Sequence, residues 1–363
     1  MHNKNKIQFR QNTYNTSDSG IMFLLALIVP QFLMIVVMLA CSAITKLPFS
    51  SPDPDVDTFV KIYPTFYMVL AGLVPQISML ASFLFISERK KVNYAKANKI
   101  NVKKFNWLVM LIVLAIGAVC LFGFTPFVNW FDGIVKNLGY KSSLSILDVS
   151  SAGKFIGAIF YVGLLPAICE ELVFRGVITN GLKQNGTKVA VILSAVLFAL
   201  MHQNLQQFVY QLFLGGVMAY IVLKTGNILY TMIWHFINNF VILLDNHING
   251  ISTAQIDFSN AWNNIYPFIL VILAVCAVIG ILVLLNFVLK KQKNKNVNLT
   301  NEQISISKNV DNIDDLSKKI DKKSNSNDIE QSNVSWFKNP FLLISLIAGI
   351  LLWVFGVASG FLS

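Results

Sequence analysis

The sequence predicts an all-α fold, a polytopic transmembrane helix bundle of about nine spans. Composition is the first reason. Of 363 residues, 55% are hydrophobic and only 13% are charged, whereas soluble domains carry about a quarter charged residues. The second reason is the recurrence of apolar runs of spanning length between short polar loops. The third is where the charge sits. The net charge of +11 comes from lysines and arginines gathered in those loops, where they set membrane orientation. Placed this way they argue for a lipid bilayer as partner and against nucleic acid.

In chain order, residues 1–20 are polar and basic, with Lys4, Lys6 and Arg10. The first span is expected over residues 21–44. It is too long for the apolar core of a signal peptide and lacks a small-x-small exit, so it reads as a retained anchor. Pro52 and Pro54 break the following loop, whose Asp53, Asp55 and Asp57 resemble a solvated acidic turn more than a cation site. A second span covers 64–86. The most basic loop follows, with Arg89, Lys90, Lys91, Lys96, Lys99, Lys103 and Lys104. The excess of positive charge places this loop and the N-terminus in the cytoplasm. A third span covers 105–128, and together residues 1–152 form an N-terminal transmembrane region.

Residues 153–245 hold four runs. The first extends from Gly153 to about Leu182 with a break or kink at Pro166. The others cover 189–202, 208–223 and 228–244. Residues 246–289 supply an outer loop and an eighth span. Segment 290–338, rich in Asn, Ser, Lys and Asp, reads as a disordered cytoplasmic linker. Residues 339–363 hold the last span. Cys41, Cys120, Cys169 and Cys276 all lie in apolar runs without CxxC spacing, so they read as small core residues.

The stretch Leu165-Pro-Ala-Ile-Cys-Glu-Glu-Leu-Val-Phe-Arg-Gly176 is the anomaly. It places Glu170, Glu171 and Arg175 inside an apolar run, at a cost of roughly 2–3 kcal/mol per charge on insertion scales. On a helix Glu171 and Arg175 are i,i+4 neighbours and can pair. Glu170 points about 100° away and is left for chemistry. Two further runs bring polar groups inward. Phe198 and His202 share one helical face, and His235 and Asn239 share another. Such groups face a bundle interior or a wet cavity.

A carboxylate beside two imidazoles and an amide suits hydrolysis. A glutamate can act as general base on water, with a histidine orienting that water or sharing its proton. A second histidine and an Asn amide can donate to a developing oxyanion. Alternatively, Glu170, His202 and His235 can bind Zn²⁺ in a His₂Glu site with an open position for water. These residues suit both arrangements. There is no His-Glu-x-x-His, Gly-x-Ser-x-Gly or Gly-x-Gly-Asp to support another intramembrane protease chemistry.

Glu170-Glu171-x-x-x-Arg175, Phe198-x-x-x-His202 and His235-x-x-x-Asn239 resemble, in order, the three motifs of the CAAX protease and bacteriocin-processing (CPBP, or Abi) family of intramembrane proteases. That family includes type II CAAX prenyl endopeptidases and lysostaphin-resistance-like proteins. The resemblance covers roughly residues 153–245. It implies that Glu170 activates water with help from His202. It implies that His235 and Asn239 bind water or the oxyanion, and that Glu171 and Arg175 are supporting residues. It also implies a membrane-anchored protein or peptide substrate, such as a prenylated C-terminus, a pheromone or bacteriocin precursor, or an envelope protein. The expected location is a bacterial plasma membrane. Two rival functions fit a polar cluster in a membrane: a proton- or ion-coupled transporter, and a non-enzymatic immunity or scaffold protein.

Overall fold

The computed structural model describes residues 13–51, 53, 55–141, 148–250, 259–308 and 335–362. Nine long helical runs stand out among them, and no strand. They are α1 Thr16–Thr45, α2 Pro64–Lys90, α3 Trp107–Asn137 and α4 Ala152–Asn185. After these come α5 Thr187–Met201, α6 Leu205–Thr225, α7 Leu229–Asn249, α8 Ala261–Lys308 and α9 Pro340–Leu362.

Each expected span has its helix, but seven of the nine are long and apolar enough to cross a membrane. The other two are α5, with 15 residues, and α7, which carries His235, Asn238, Asn239, Asp245 and His247. A helix needs about 20 apolar residues to span alone. These two are the helices that bring His202 and His235 inward. They depart from the spanning pattern because α5 is short and α7 carries several polar side chains.

Helix ends are fixed by local chemistry. Asn15 caps α1 in a capping box with Asp18, and Asn106 accepts from Val109 N–H at the start of α3. Each side chain satisfies a backbone donor that has no partner within the helix. Several elements run past their expected ends. Helix α3 continues to Asn137. Helix α7 takes in His247, expected in a loop, whose ring stacks on Phe155 with centroids 4.4 Å apart. Helix α8 continues to Lys308, so residues 290–308 of the expected 290–338 linker are helical, while 309–334 lies outside the described residues.

Helix α4 occupies the centre, packed by α1, α2, α5 and α7. Val173, Phe174, Val177 and Ile178 are completely buried there, in a core shared with α1, α2, α5 and α9. A second core joins α3, α6, α7 and α8. Gly20 allows α1 and α9 to touch, since a Cβ there would sit 2.6 Å from the Phe341 backbone. Cys120 and Cys169 are buried as expected, but Cys41 is half-buried and Cys276 is exposed on α8. Ile28, Phe32 and Leu39 on α1, and Ile272, Val283 and Phe287 on α8, are also exposed. Apolar side chains of this size on an outer face are the surface that hydrocarbon covers in a membrane protein. The molecule is an integral membrane protein.

Candidate active site

Helix α4 is not uniform. Two π-helical stretches, Ile159–Leu164 and Leu172–Ile178, flank the α-helical turn Leu165–Glu171. The proline explains part of this. Pro166 has no N–H, so the carbonyl of Val162, four residues back, loses its α-helical donor. The side chain of Asn239 takes the place of that donor, with Nδ2 3.1 Å from Val162 O. The sequence-predicted Asn239 therefore lies one turn from His235, with its amide engaged in holding α7 against the proline step.

Glu170 and Glu171 fall near the middle of the 34-residue run Ala152–Asn185. Glu171 and Arg175 are both fully buried, with Oε1 3.3 Å from Nη1. Nη1 makes no aligned hydrogen bond, so the contact is an ion pair held by charge and proximity. Arg175 Nη2 also lies 3.2 Å from Met218 Sδ, and its guanidinium covers the Phe198 ring at 4.4 Å. In this buried setting a cation over an aromatic face is worth about 2 kcal/mol.

His235 lies between the two carboxylates. Its Nδ1 is 3.2 Å from Glu171 Oε1, and its Nε2 is 3.9 Å from Glu170 Oε2. A carboxylate only accepts, so Nδ1 carries a proton toward Glu171 and Nε2 is the atom presented to Glu170.

His202 follows the last residue of α5. Its backbone N–H turns to Ala199 O, leaving the Phe198 carbonyl without an α-helical donor. Nδ1 of the His202 ring takes that carbonyl at 2.8 Å, which fixes the tautomer with Nε2 facing outward. Gln203 then adopts the left-handed conformation at φ 48°, and Asn204 caps α6 by accepting from the N–H groups of Gln206 and Gln207. Phe198, completely buried, presents its ring to His202 and His235 at centroid distances of 4.8 and 6.4 Å. It is the apolar hub around which both imidazoles and Arg175 are arranged.

One contact comes from a residue that sequence reasoning passed over. Gln76 on α2 donates Nε2–H to Glu170 Oε1 at 3.3 Å and is 7% exposed. The available signal was a carboxamide directly after Pro75 inside an apolar span. A cavity of about 280 Å³ lies between α1, α2 and the α5–α6 turn, lined among others by Pro30, Met34, Pro75, Met79 and Gln203. Its walls thus include chain neighbours of both Gln76 and His202.

The expected metal set was Glu170, His202 and His235. Among the described residues, no three His, Cys, Asp or Glu side chains are grouped closely enough to hold an ion. The described donors as arranged do not fit a three-ligand zinc centre.

Residues 152–241 match the family model described as type II CAAX prenyl endopeptidase, Rce1-like. The match runs from the start of α4 into α7 and takes in every residue of the three motifs. No curated protein and no solved structure matches the chain. The match covers about a quarter of the chain and supports placing residues 152–241 in the CAAX protease and bacteriocin-processing family.

Proposed function

We propose that the chain is an intramembrane endopeptidase that hydrolyses a peptide bond of a membrane-anchored protein or peptide. The observation carrying this reading is the placement of Glu170 Oε2 3.9 Å from His235 Nε2, with neither atom consumed by the Glu171–Arg175 pair. A water about 2.8 Å from each atom would subtend an angle of about 90°, an acceptable hydrogen-bond geometry.

In the proposed reaction Glu170 takes a proton from that water as its oxygen attacks the scissile carbonyl. In this step His235 acts with a proton on each nitrogen, the Nδ1–H directed at Glu171. Nε2–H then donates to the carbonyl oxygen as it becomes an oxyanion. Such a donor is worth about 3–4 kcal/mol in soluble proteases. His202, with Nδ1 fixed on Phe198 O, offers Nε2 to the second hydrogen of the water. Glu170 finally passes its proton to the leaving amine, giving a new carboxylate terminus and a new amine. Glu171 holds His235 in place, Arg175 offsets Glu171, and Asn239 secures the helix step that aims both glutamates. In this reading an apolar substrate segment approaches by way of the cavity between α1 and α2, which is lined by Pro75 and Gln203, the chain neighbours of Gln76 and His202. The basic loop 89–104 supports an orientation with the N-terminus in the cytoplasm.

The test is cleavage of a panel of membrane-anchored peptides, prenylated and unprenylated, by the purified chain in proteoliposomes. The wild type is expected to cut one internal bond in at least one peptide. Glu170→Gln, His202→Ala and His235→Ala are expected to fold and lose turnover. Wild-type rates from Glu170→Gln would overturn the reading, as would proton flux through the liposomes with no cleavage of any peptide.

A further inference from the structure

Gln76 does more than neighbour the base. A carboxylate offers only acceptors, so the Gln76 amide must turn its NH₂ toward Glu170. This leaves Gln76 Oε1 turned away, buried and without a hydrogen-bond partner among the described residues. Buried polar atoms are nearly always paired, and an orphan acceptor beside a general base is suited to a donor that arrives with the substrate. A peptide in extended form supplies such donors along its backbone. Pro75 and Met79, neighbours of Gln76 on α2, line the cavity between α1 and α2, while Gln76 itself faces Glu170.

The hydrogen bond also separates the two oxygens of Glu170. Oε1 is held by Gln76 at 3.3 Å, while Oε2 faces His235 Nε2 at 3.9 Å. We propose that Gln76 is a positioning and substrate-registering residue. Its N–H fixes the Glu170 carboxylate so that Oε2 is the base, and its Oε1 accepts a backbone N–H of the peptide near the scissile bond. This rests on the endopeptidase reading above and extends the working site to α2, outside the matched domain.

Three variants in the same cleavage assay test it. Gln76→Met keeps the side-chain length and removes both polar functions. It is expected to lower kcat about 10-fold and raise KM several-fold, the loss of one positioning hydrogen bond and one binding hydrogen bond. Gln76→Glu is nearly isosteric. Protonated, it donates O–H to Glu170 and keeps a carbonyl. Ionised, it sets a second negative charge against the base. Its activity is therefore expected to recover toward wild type at acid pH and to collapse at alkaline pH, a change in pH profile that Gln76→Met does not show. Finally, N-methylation of one backbone position near the cut is expected to slow the wild type and leave Gln76→Met unaffected. Wild-type kcat and KM in Gln76→Met overturn the proposal, as does a Gln76→Glu profile matching that of Gln76→Met. If the wild type turns over and Glu170→Gln does not, either result counts against Gln76 alone. No turnover by the wild type overturns both readings.

Discussion

Removing Arg175 alone should be among the most damaging single changes in the bundle. Its side chain is fully buried, as is that of Glu171. Arg175→Met deletes the guanidinium that faces Glu171 at 3.3 Å and the Phe198 ring at 4.4 Å. It leaves a buried carboxylate with the His235 ring and the Thr231 hydroxyl beside it. Breaking one side of a buried pair costs about 3–5 kcal/mol, most of it from the charge left behind. A folded domain holds about 5–15 kcal/mol in total, so this is a large share. At about 2–4 °C per kcal/mol, the thermal midpoint in detergent should fall by roughly 6–20 °C. The double variant Glu171→Gln/Arg175→Met removes both charges and keeps an amide oxygen for His235 Nδ1–H. It should regain at least about 2 kcal/mol relative to Arg175→Met, since contacting residues couple by that order. The assay is the temperature dependence of the monodisperse fraction for wild type, both single variants and the double. Wild-type stability in Arg175→Met, or a double variant no better than the sum of the singles, would refute the argument that an unpaired charge is the cause.

Two further predictions concern stability. Asn239→Leu leaves the Val162 carbonyl without its donor and should cost about 1–3 kcal/mol. In a Pro166→Ala background the restored backbone N–H can take that carbonyl, so the cost of Asn239→Leu should shrink there; equal costs in both backgrounds contradict this. Lys99 lies in the loop between α2 and α3, and its Nζ is buried without a hydrogen-bond partner among the described residues. Burial, with Lys183 a lesser cause, lowers its pKa from 10.5 to about 8. Below pH 8 the folded chain bears the cost of a poorly solvated ammonium. Between pH 8 and 10.5 the folded chain releases a proton that the unfolded chain keeps, so stability rises with pH. Lys99→Met should accordingly be more stable than wild type at pH 7, with the gap closing as pH climbs toward 10.5; a gap that stays constant or widens would count against it.

Some of this was legible in the chain because it is local. The Glu171–Arg175 pair follows from i,i+4 spacing, and Phe198 and His202 share a face for the same reason. All nine helices follow from apolar runs. What stayed hidden depends on contacts between residues far apart in sequence. Pro166 announces a helix break, but nothing near it reveals that Asn239 supplies the missing donor. Pro166 marks the first π-helical stretch, but nothing local in the sequence marks the second, Leu172–Ile178. Gln76 is separated from Glu170 by 94 positions and lies in a segment with no catalytic motif. Composition predicts weak burial after residue 290, and a helix continuing from an apolar span needs none of its own in the first turns, so α8 runs on to Lys308.

The central claim is that Glu170 and His235 act on a single water as one unit, and a double-variant cycle on kcat tests it most directly. Glu170→Gln, His235→Ala and their combination are to be compared with wild type on one cleaved peptide. Residues that act as a unit are strongly non-additive. The account predicts that each single change abolishes most of the rate and that the double variant is scarcely slower than either. A double variant whose loss equals the product of the two single losses would show that the residues act independently, and undiminished turnover by Glu170→Gln would remove the carboxylate from the chemistry altogether.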